Sequence, residues 1–314
     1  MRDPHHKIPV DGLVCAAVTF LTWGMVGIWV RLLHIPSMFI VGVRLSIAFF
    51  CLLPFVLLKR ARRAHLPRAL RMPSAWLLAG AMISYYAFAV AAFQYGTVAE
   101  VALFIGVSPA FILVTRIVRR QPISRRETMG ALIAIAGVVV VLGPKLSFNS
   151  PDTKLRILGD LLALASASMS ALYAGTFRAL HESGEEVPDS ICVAVMACAV
   201  GGALLTTSMS LLHTGIWGKV QETRTASILL VLGVVSTAVP SVAYAIASRT
   251  LPAILSTTSQ LMIPVISTIA AAFILHELPP VWVYVGGALI VYGIIHMFRQ
   301  DAPPYVEGEE PLAD

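Results

Sequence analysis

Residues 11–33, DGLVCAAVTFLTWGMVGIWVRLL, and residues 158–180, LGDLLALASASMSALYAGTFRAL, align without a gap and set Gly12 on Gly159, Ala16 on Ala163 and Arg31 on Arg178. A second pair lies further along. RRQPISRRETMGALIAIAG at 119–137 matches LHELPPVWVYVGGALIVYG at 275–293, placing Gln121 on Glu277, Gly130 on Gly286 and Gly137 on Gly293. The copies stand further apart in the second pair than in the first, so the second copy carries insertions between them. The chain reads as a duplication.

Composition says what is duplicated. Of 314 residues 57% are apolar, while 23 Lys/Arg and 17 Asp/Glu amount to 13% of the chain, and the mean hydropathy is +0.81. A soluble chain carries roughly 25% charged residues to keep its surface in water, so this one belongs in a bilayer. Apolar stretches bounded by charge, proline or turn signals fall at 12–31, 36–58, 74–95, 98–118, 126–143, 157–178, 190–212, 226–247, 252–275 and 281–298. Each is near the ~20 residues that a helical span needs. The expected fold is an all-α integral membrane protein with ten transmembrane helices. Its parts are an N-terminus at 1–11, a five-helix repeat at 12–143, a linker at 144–156, a second repeat at 157–298 and an acidic, Pro-rich tail at 299–314, read as disordered. No room remains for a large soluble domain. The run after MRDPHHK is too long for a signal-peptide core and is read as a retained first span.

Loop charge fixes the direction. KRARRAHLPRALR after the second span carries six Lys/Arg and RIVRRQPISRR after the fourth carries five, whereas LHIP and GTVAE carry none. The basic loops and both termini are therefore expected on the cytoplasmic side. An odd number of spans in each copy makes the second enter from the opposite face, so the repeats are inverted. Inverted repeats imply a pseudo-two-fold axis in the membrane plane and a midplane cavity that opens to one side at a time. Pro36, Pro73, Pro188 and Pro252 fall at or just before helix starts. Pro109, Pro240 and Pro264 fall inside spans, where they kink a helix and mark cavity walls.

Several classes of function are excluded. Cys15, Cys51, Cys192 and Cys198 lie singly in apolar runs, so neither a disulfide framework nor a metal site is expected, and no cofactor is called for. The net charge of +6 sits in loops and serves orientation, not nucleic-acid binding. There is no HExxH, GxSxG or GxxxxGK[ST] and no carboxylate pair, which argues against an enzyme. Re-entrant filter loops and rings of like charge, the marks of a channel, are missing from the sequence as well.

These residues resemble the drug/metabolite transporter superfamily, in its ten-helix EamA-type branch, over 12–143 and 157–298. The resemblance is carried by TWG in the first span, Arg44 in the second, SPAFILVTRIV, MGALIAIAGVVVVLG, and MIPVISTIAAAFILHELPPVWVYVGGALIVYG in the second copy. One departure is Gln121, where the family usually shows a glutamate. The resemblance implies a bacterial inner-membrane permease, often an exporter of amino acids or related small metabolites. It also implies a central cavity lined by helices one, three, four, six, eight and nine.

An ionisable group at membrane depth costs roughly 3 kcal/mol on insertion scales, so Arg44, eight residues into its span, needs a partner. Glu100, near the outer end of the fourth span, is the expected one, as an intramembrane ion pair. Asp11, Glu100, Glu127, Asp160 and Glu277 all fall near span ends, which favours facilitated movement over a proton relay. The substrate-binding candidates are Trp23, Tyr85, Tyr86, Tyr173 and Tyr244, with Gln94, Ser108, Thr257 and Gln260 as polar partners; Phe93, Tyr95 and Ser170 fall on the same spans. Such a cavity, largely neutral and aromatic, suits a zwitterionic small molecule, with organic cations such as quaternary amines as the alternative substrate class. Gly130, Ala134 and Gly137, with Gly286 and Gly293, form small-residue stripes that fit either a symmetric pair inside one chain or a dimer face. The partners expected are a small-molecule substrate and the lipid bilayer, with the protein a monomer or a homodimer.

Overall fold

A computed structural model describes residues 10–118, 120, 123–146, 151–250 and 260–298. Thr257, Gln121, Pro252 and the 299–314 tail lie outside the described residues. Ten apolar helices follow one another: α1 (Val10–Arg31), α2 (Ser37–Leu57), α3 (Pro73–Tyr95), α4 (Val98–Val114), α5 (Arg125–Lys145), α6 (Pro151–Ser183), α7 (Ser190–Leu212), α8 (Thr223–Ala247), α9 (Met262–Leu275) and α10 (Val281–Met297). Seven are long and apolar enough to cross a membrane; α4, α9 and α10 are shorter apolar helices. Two short helices, Arg60–Ala69 and Ile216–Val220, sit in the loops before α3 and α8. The α2–α3 and α4–α5 loops mark a basic end of the bundle. The α1–α2, α3–α4, α5–α6 and α9–α10 turns lie at the opposite end.

The packing has the two-fold pattern that inverted repeats require. α1 packs on α8 as α6 packs on α3, and α1 packs on α9 as α6 packs on α4. The pairs α2–α7, α4–α9 and α5–α10 each join a helix to its own counterpart, so they lie on the symmetry axis.

Small residues set these axial contacts. A Cβ added to Gly130 would lie 2.5 Å from the Gly293 carbonyl oxygen, and one on Gly293 would lie 2.5 Å from that of Gly130. Gly137 and Gly286 face each other in the same way, at 2.5 and 2.6 Å. The stripes therefore form a symmetric pair inside one chain, with backbones close enough for Cα–H···O contacts. At α2–α7, a Cβ on Gly42 would meet the Thr206 amide at 2.5 Å and one on Gly202 the Ser46 amide at 2.8 Å.

Apolar side chains cover the outside as well as the core. Phe50, Leu204, Val139 and Phe273 are exposed, a pattern that suits lipid and would aggregate in water. The prolines act largely as their positions suggest. Pro73 opens α3 and Pro36 caps α2. The helical hydrogen bonding of α4 breaks between Ile105 and Ser108, just before Pro109, and a π-helical stretch, Val231–Ala238, precedes Pro240 in α8. α1 is interrupted after Gly24, where the Ser267 hydroxyl of α9 donates to the Gly24 carbonyl at 2.7 Å.

Gly137→Leu should force α5 and α10 apart, with an overpacking cost of about 1–3 kcal/mol. Thermal unfolding of the purified protein in detergent, followed by size-exclusion chromatography, should show a lower midpoint. Gly80→Ala, whose Cβ would meet nothing within 4 Å, should leave that midpoint unchanged or raise it.

Candidate functional site

Helix α8 provides the anchor for the one charge deep in α2. Proline lacks the N–H that would bond the carbonyl four residues back, so Pro240 leaves the Ser236 carbonyl without that helical donor. Arg44 supplies a donor instead: its Nη2 bonds the Ser236 carbonyl at 3.0 Å and its Nε bonds Thr237 Oγ1 at 2.6 Å. Thr237 Oγ1 in turn donates to the Leu232 carbonyl at 2.7 Å, inside the π-helical stretch. The guanidinium also stacks over Tyr86, 4.6 Å from the ring centre, a cation–π contact that desolvation strengthens. Arg44 is 2% exposed. No carboxylate among the described residues pairs with it, so its charge is met by dipoles and a ring face alone.

The expected Arg44–Glu100 pair is corrected by this arrangement. α2 packs against α7 and α8, whereas α4 packs against α6 and α9, and the two side chains have different neighbours. Glu100 Oε2 lies 2.9 Å from Lys145 Nζ and accepts the Thr97 hydroxyl at 2.7 Å. Lys145 also pairs with Asp160. These end-of-span residues are buried, contrary to what their places in the sequence suggest: Glu100 is 1% exposed, Lys145 7% and Asp160 0%.

From Tyr86 an aromatic run crosses between the halves. Tyr85 and Tyr86 meet edge to face at 5.3 Å, and Tyr173 of α6 lies within electrostatic reach of both Tyr86 and Tyr244. Tyr244 of α8 packs on Trp23 of α1 with ring centres 5.7 Å apart and shares a side-chain hydrogen bond with Gln260. Tyr85, Tyr173, Tyr244, Trp23 and Gln260 are half-buried. The run thus draws on α1, α3, α6 and α8, with Gln260 at the start of α9.

Other candidates lie elsewhere. Gln94 donates to the Ile35 carbonyl at 2.7 Å and fixes the α1–α2 turn. Tyr95 is exposed, and the buried Phe93 ring lies 2.7 Å from where a Cβ on Gly27 would stand, which is a packing contact. Ser108 and Ser170 are half-buried, Ser108 opening the second segment of α4.

A second feature, at the opposite end, went unread in the sequence. Arg31 Nη2 pairs with Glu277 Oε1 at 2.8 Å, and Arg31 Nη1 donates to the Gln94 carbonyl at 3.2 Å. Glu277 Oε2 accepts the Val98 amide at 3.2 Å. Thr97, the N-cap of α4, makes no capping bond because its hydroxyl goes to Glu100, so Glu277 takes over that role at the positive end of the helix. Local backbone places it there. His276 adopts φ 54° at the end of α9, and the Glu277 amide bonds back to the Ala271 carbonyl at 3.2 Å, a helix-ending turn built on one left-handed residue. The signal was present in the alignment, since Arg31 and Glu277 both occur in the paired segments.

At the basic end the ties differ. Arg178, the counterpart of Arg31, bonds Glu182 one turn along its own helix at 2.7 Å. Arg116 pairs with Glu127 inside the first repeat. Only the looser Arg62–Asp189 contact, 3.6 Å, joins the halves there among the ion pairs described.

In thermal unfolding, Glu277→Gln should cost more than Arg31→Gln, because it weakens both the ion pair and the cap on Val98. A double-mutant cycle should return a coupling of about 0.5–1 kcal/mol for this partly exposed pair.

A sequence model of the EamA-like transporter family matches residues 11–143 and 157–299. No curated protein matches the sequence. A solved structure described only as "Crystal structure of protein" superposes with a TM-score of 0.63 over 92% of this chain and 96% of its own, at 19% identity; at that identity the likeness speaks for the fold alone.

Proposed function

The chain belongs to the EamA-like transporter family, and we propose that it exports amino acids or related small zwitterionic metabolites across a bacterial inner membrane by alternating access. The observation that carries the substrate class is Arg44, a buried guanidinium whose described partners are all neutral. A buried cation without a counter-charge favours an anionic group brought close to it. The aromatic run that starts at Tyr86, against the guanidinium, and ends at Trp23 offers apolar faces for a side chain and tyrosine hydroxyls for hydrogen bonds. Trp23, Tyr85, Tyr86, Tyr173, Tyr244 and Gln260 are the binding residues on this reading, and Thr257, near Gln260 in sequence, joins them as a candidate. Ser108, at the break in α4, is a further one. Gln94 acts by holding a turn.

Alternating access is supported by the distribution of ties between the halves. Arg31–Glu277 joins the first repeat to the second at one end, while its repeat counterpart Arg178 is held within its own helix at the other. With the basic loops and both termini in the cytoplasm, the more closely tied end faces outward, the looser Arg62–Asp189 contact joins the halves at the other, and the bundle stands ready to load from inside. The small-residue stripes are used within the chain, which supports a working monomer.

The test is uptake of labelled amino acids and quaternary amines into liposomes carrying the full-length protein. At least one amino acid should be transported, and Arg44→Gln should lower its rate tenfold or more while leaving the size-exclusion profile unchanged. Transport of quaternary amines alone, indifferent to Arg44→Gln, would overturn the reading.

A further inference from the structure

Glu100, Lys145 and Asp160 come one each from α4, α5 and α6, at the end of the bundle opposite the basic loops. Lys145 Nζ touches both carboxylates, at 2.9 Å from Glu100 Oε2 and in direct contact with Asp160 Oδ2. The Thr97 hydroxyl completes the Glu100 side. Asp160 Oδ1 is buried and has no hydrogen-bond partner among the described residues. It faces the α3–α4 turn, 3.7 Å from where a Cβ on Gly96 would stand. Among the described residues the charged groups acting on Asp160 are Lys145, Glu100 and, from an exposed position four residues earlier on α6, Arg156.

Charge balance decides what the cluster holds. Two buried carboxylates against one buried ammonium leave one negative charge among the buried groups, Arg156 acting only from the exposed surface, and an unbalanced buried charge is far costlier than a neutral set. One proton restores neutrality. Asp160 Oδ1 takes it, because it is the carboxylate oxygen of the set that is buried and without a hydrogen-bond partner among the described residues.

We propose that Glu100, Lys145 and Asp160 form a proton-binding site, with the proton on Asp160, that couples transport to the proton gradient. The proton comes from a hydronium ion at that end of the bundle: one of its O–H bonds breaks, leaving water, as an O–H bond forms on a lone pair of Oδ1. Its effect reaches the halves because Asp160 lies on α6, the first helix of the second repeat, while Glu100 lies on α4 and Lys145 at the end of α5, the last helix of the first, which the structure extends past the repeat's sequence boundary at 143. Protonated Asp160 holds Lys145 weakly, and ionised Asp160 holds it strongly. Proton occupancy thus sets the strength of a tie across the seam. The coupling rests on the transporter reading above, whereas the site itself does not.

Infrared difference spectra of the full-length protein in lipid nanodiscs, recorded against pH, test the site without any transported solute. The wild type should show a protonated-carboxyl band that titrates, and Asp160→Asn should lose it. Glu100→Gln removes the excess negative charge, so Asp160 should bind its proton at least tenfold more weakly. This second variant keeps the test decisive if Asp160→Asn does not fold. A band unaffected by either substitution, or no titrating band, overturns the site, as does a band that responds to sodium at fixed pH, which would indicate a metal-cation site. In liposomes, an imposed pH gradient should drive accumulation of a labelled amino acid by the wild type. Asp160→Asn should lose that accumulation and retain exchange of internal for external label. Wild-type accumulation indifferent to the gradient overturns the coupling, while a protein that moves no amino acid at all but keeps the titrating band places the failure in the assigned substrate.

Discussion

A charge in an apolar slab is stable only where another part of the chain meets it, and this bundle meets several of its charges across the seam between its two repeats. Arg44 of the first repeat is held by Ser236 and Thr237 of the second. Arg31 is held by Glu277, Lys145 by Asp160 and Arg62 by Asp189, each pair again joining one half to the other. Between membrane helices the hydrophobic effect gives little driving force, since lipid tails are as apolar as leucine. Close backbone contact and these polar ties therefore specify how the halves sit together. Movement of one half against the other has to break and remake the same ties.

How much of this was legible depended on whether the cause was local. The glycine stripes were readable because close approach has a steric signature that survives in one dimension: Gly130 and Gly137 recur as Gly286 and Gly293, and in space Gly130 meets Gly293 and Gly137 meets Gly286. Arg44 was readable as a charge in an apolar run, but its partner was not. The acceptor is a backbone carbonyl left open by Pro240 nearly two hundred residues away, and no side-chain inventory contains it. Pairing Arg44 with Glu100 assumed that nearby spans adjoin. In the fold α2 sits with α7 and α8, and α4 with α6 and α9.

Span ends misled in another way. Lys145 falls in a segment read as a linker and Asp160 just inside a helix, so both look like solvated boundary residues. In the structure α5 runs through Lys145 and α6 begins at Pro151, with Gly159 packed against Gly96 so closely that a Cβ would stand 2.5 Å from its amide. That contact buries the helix ends and the charges on them. The aromatic candidates divide for a similar reason. Tyr85 and Tyr86, adjacent on α3, both join the central run, whereas Phe93 fills the space above Gly27 and Tyr95 is exposed; helical phase alone does not say which neighbour each face will meet.

The two repeats share a fold without sharing their chemistry. Arg31 and Arg178 occupy equivalent places, yet one finds a carboxylate in the other half and the other a carboxylate on its own helix. The position equivalent to Glu277 is Gln121, a neutral residue. An amide cannot form an ion pair, so no interchange of conformations between the halves can recreate the Arg31–Glu277 contact at the basic end with these residues. Lys145 and Asp160 also tie the halves at the end where Arg31 does. On the alternating-access reading proposed above, the arrangement described here is accordingly favoured over the one with the halves' conformations exchanged by the Arg31–Glu277 contact. On that reading, a solute that carries the protein through its cycle has to supply, by its own binding, the stabilisation given up when Arg31 and Glu277 part.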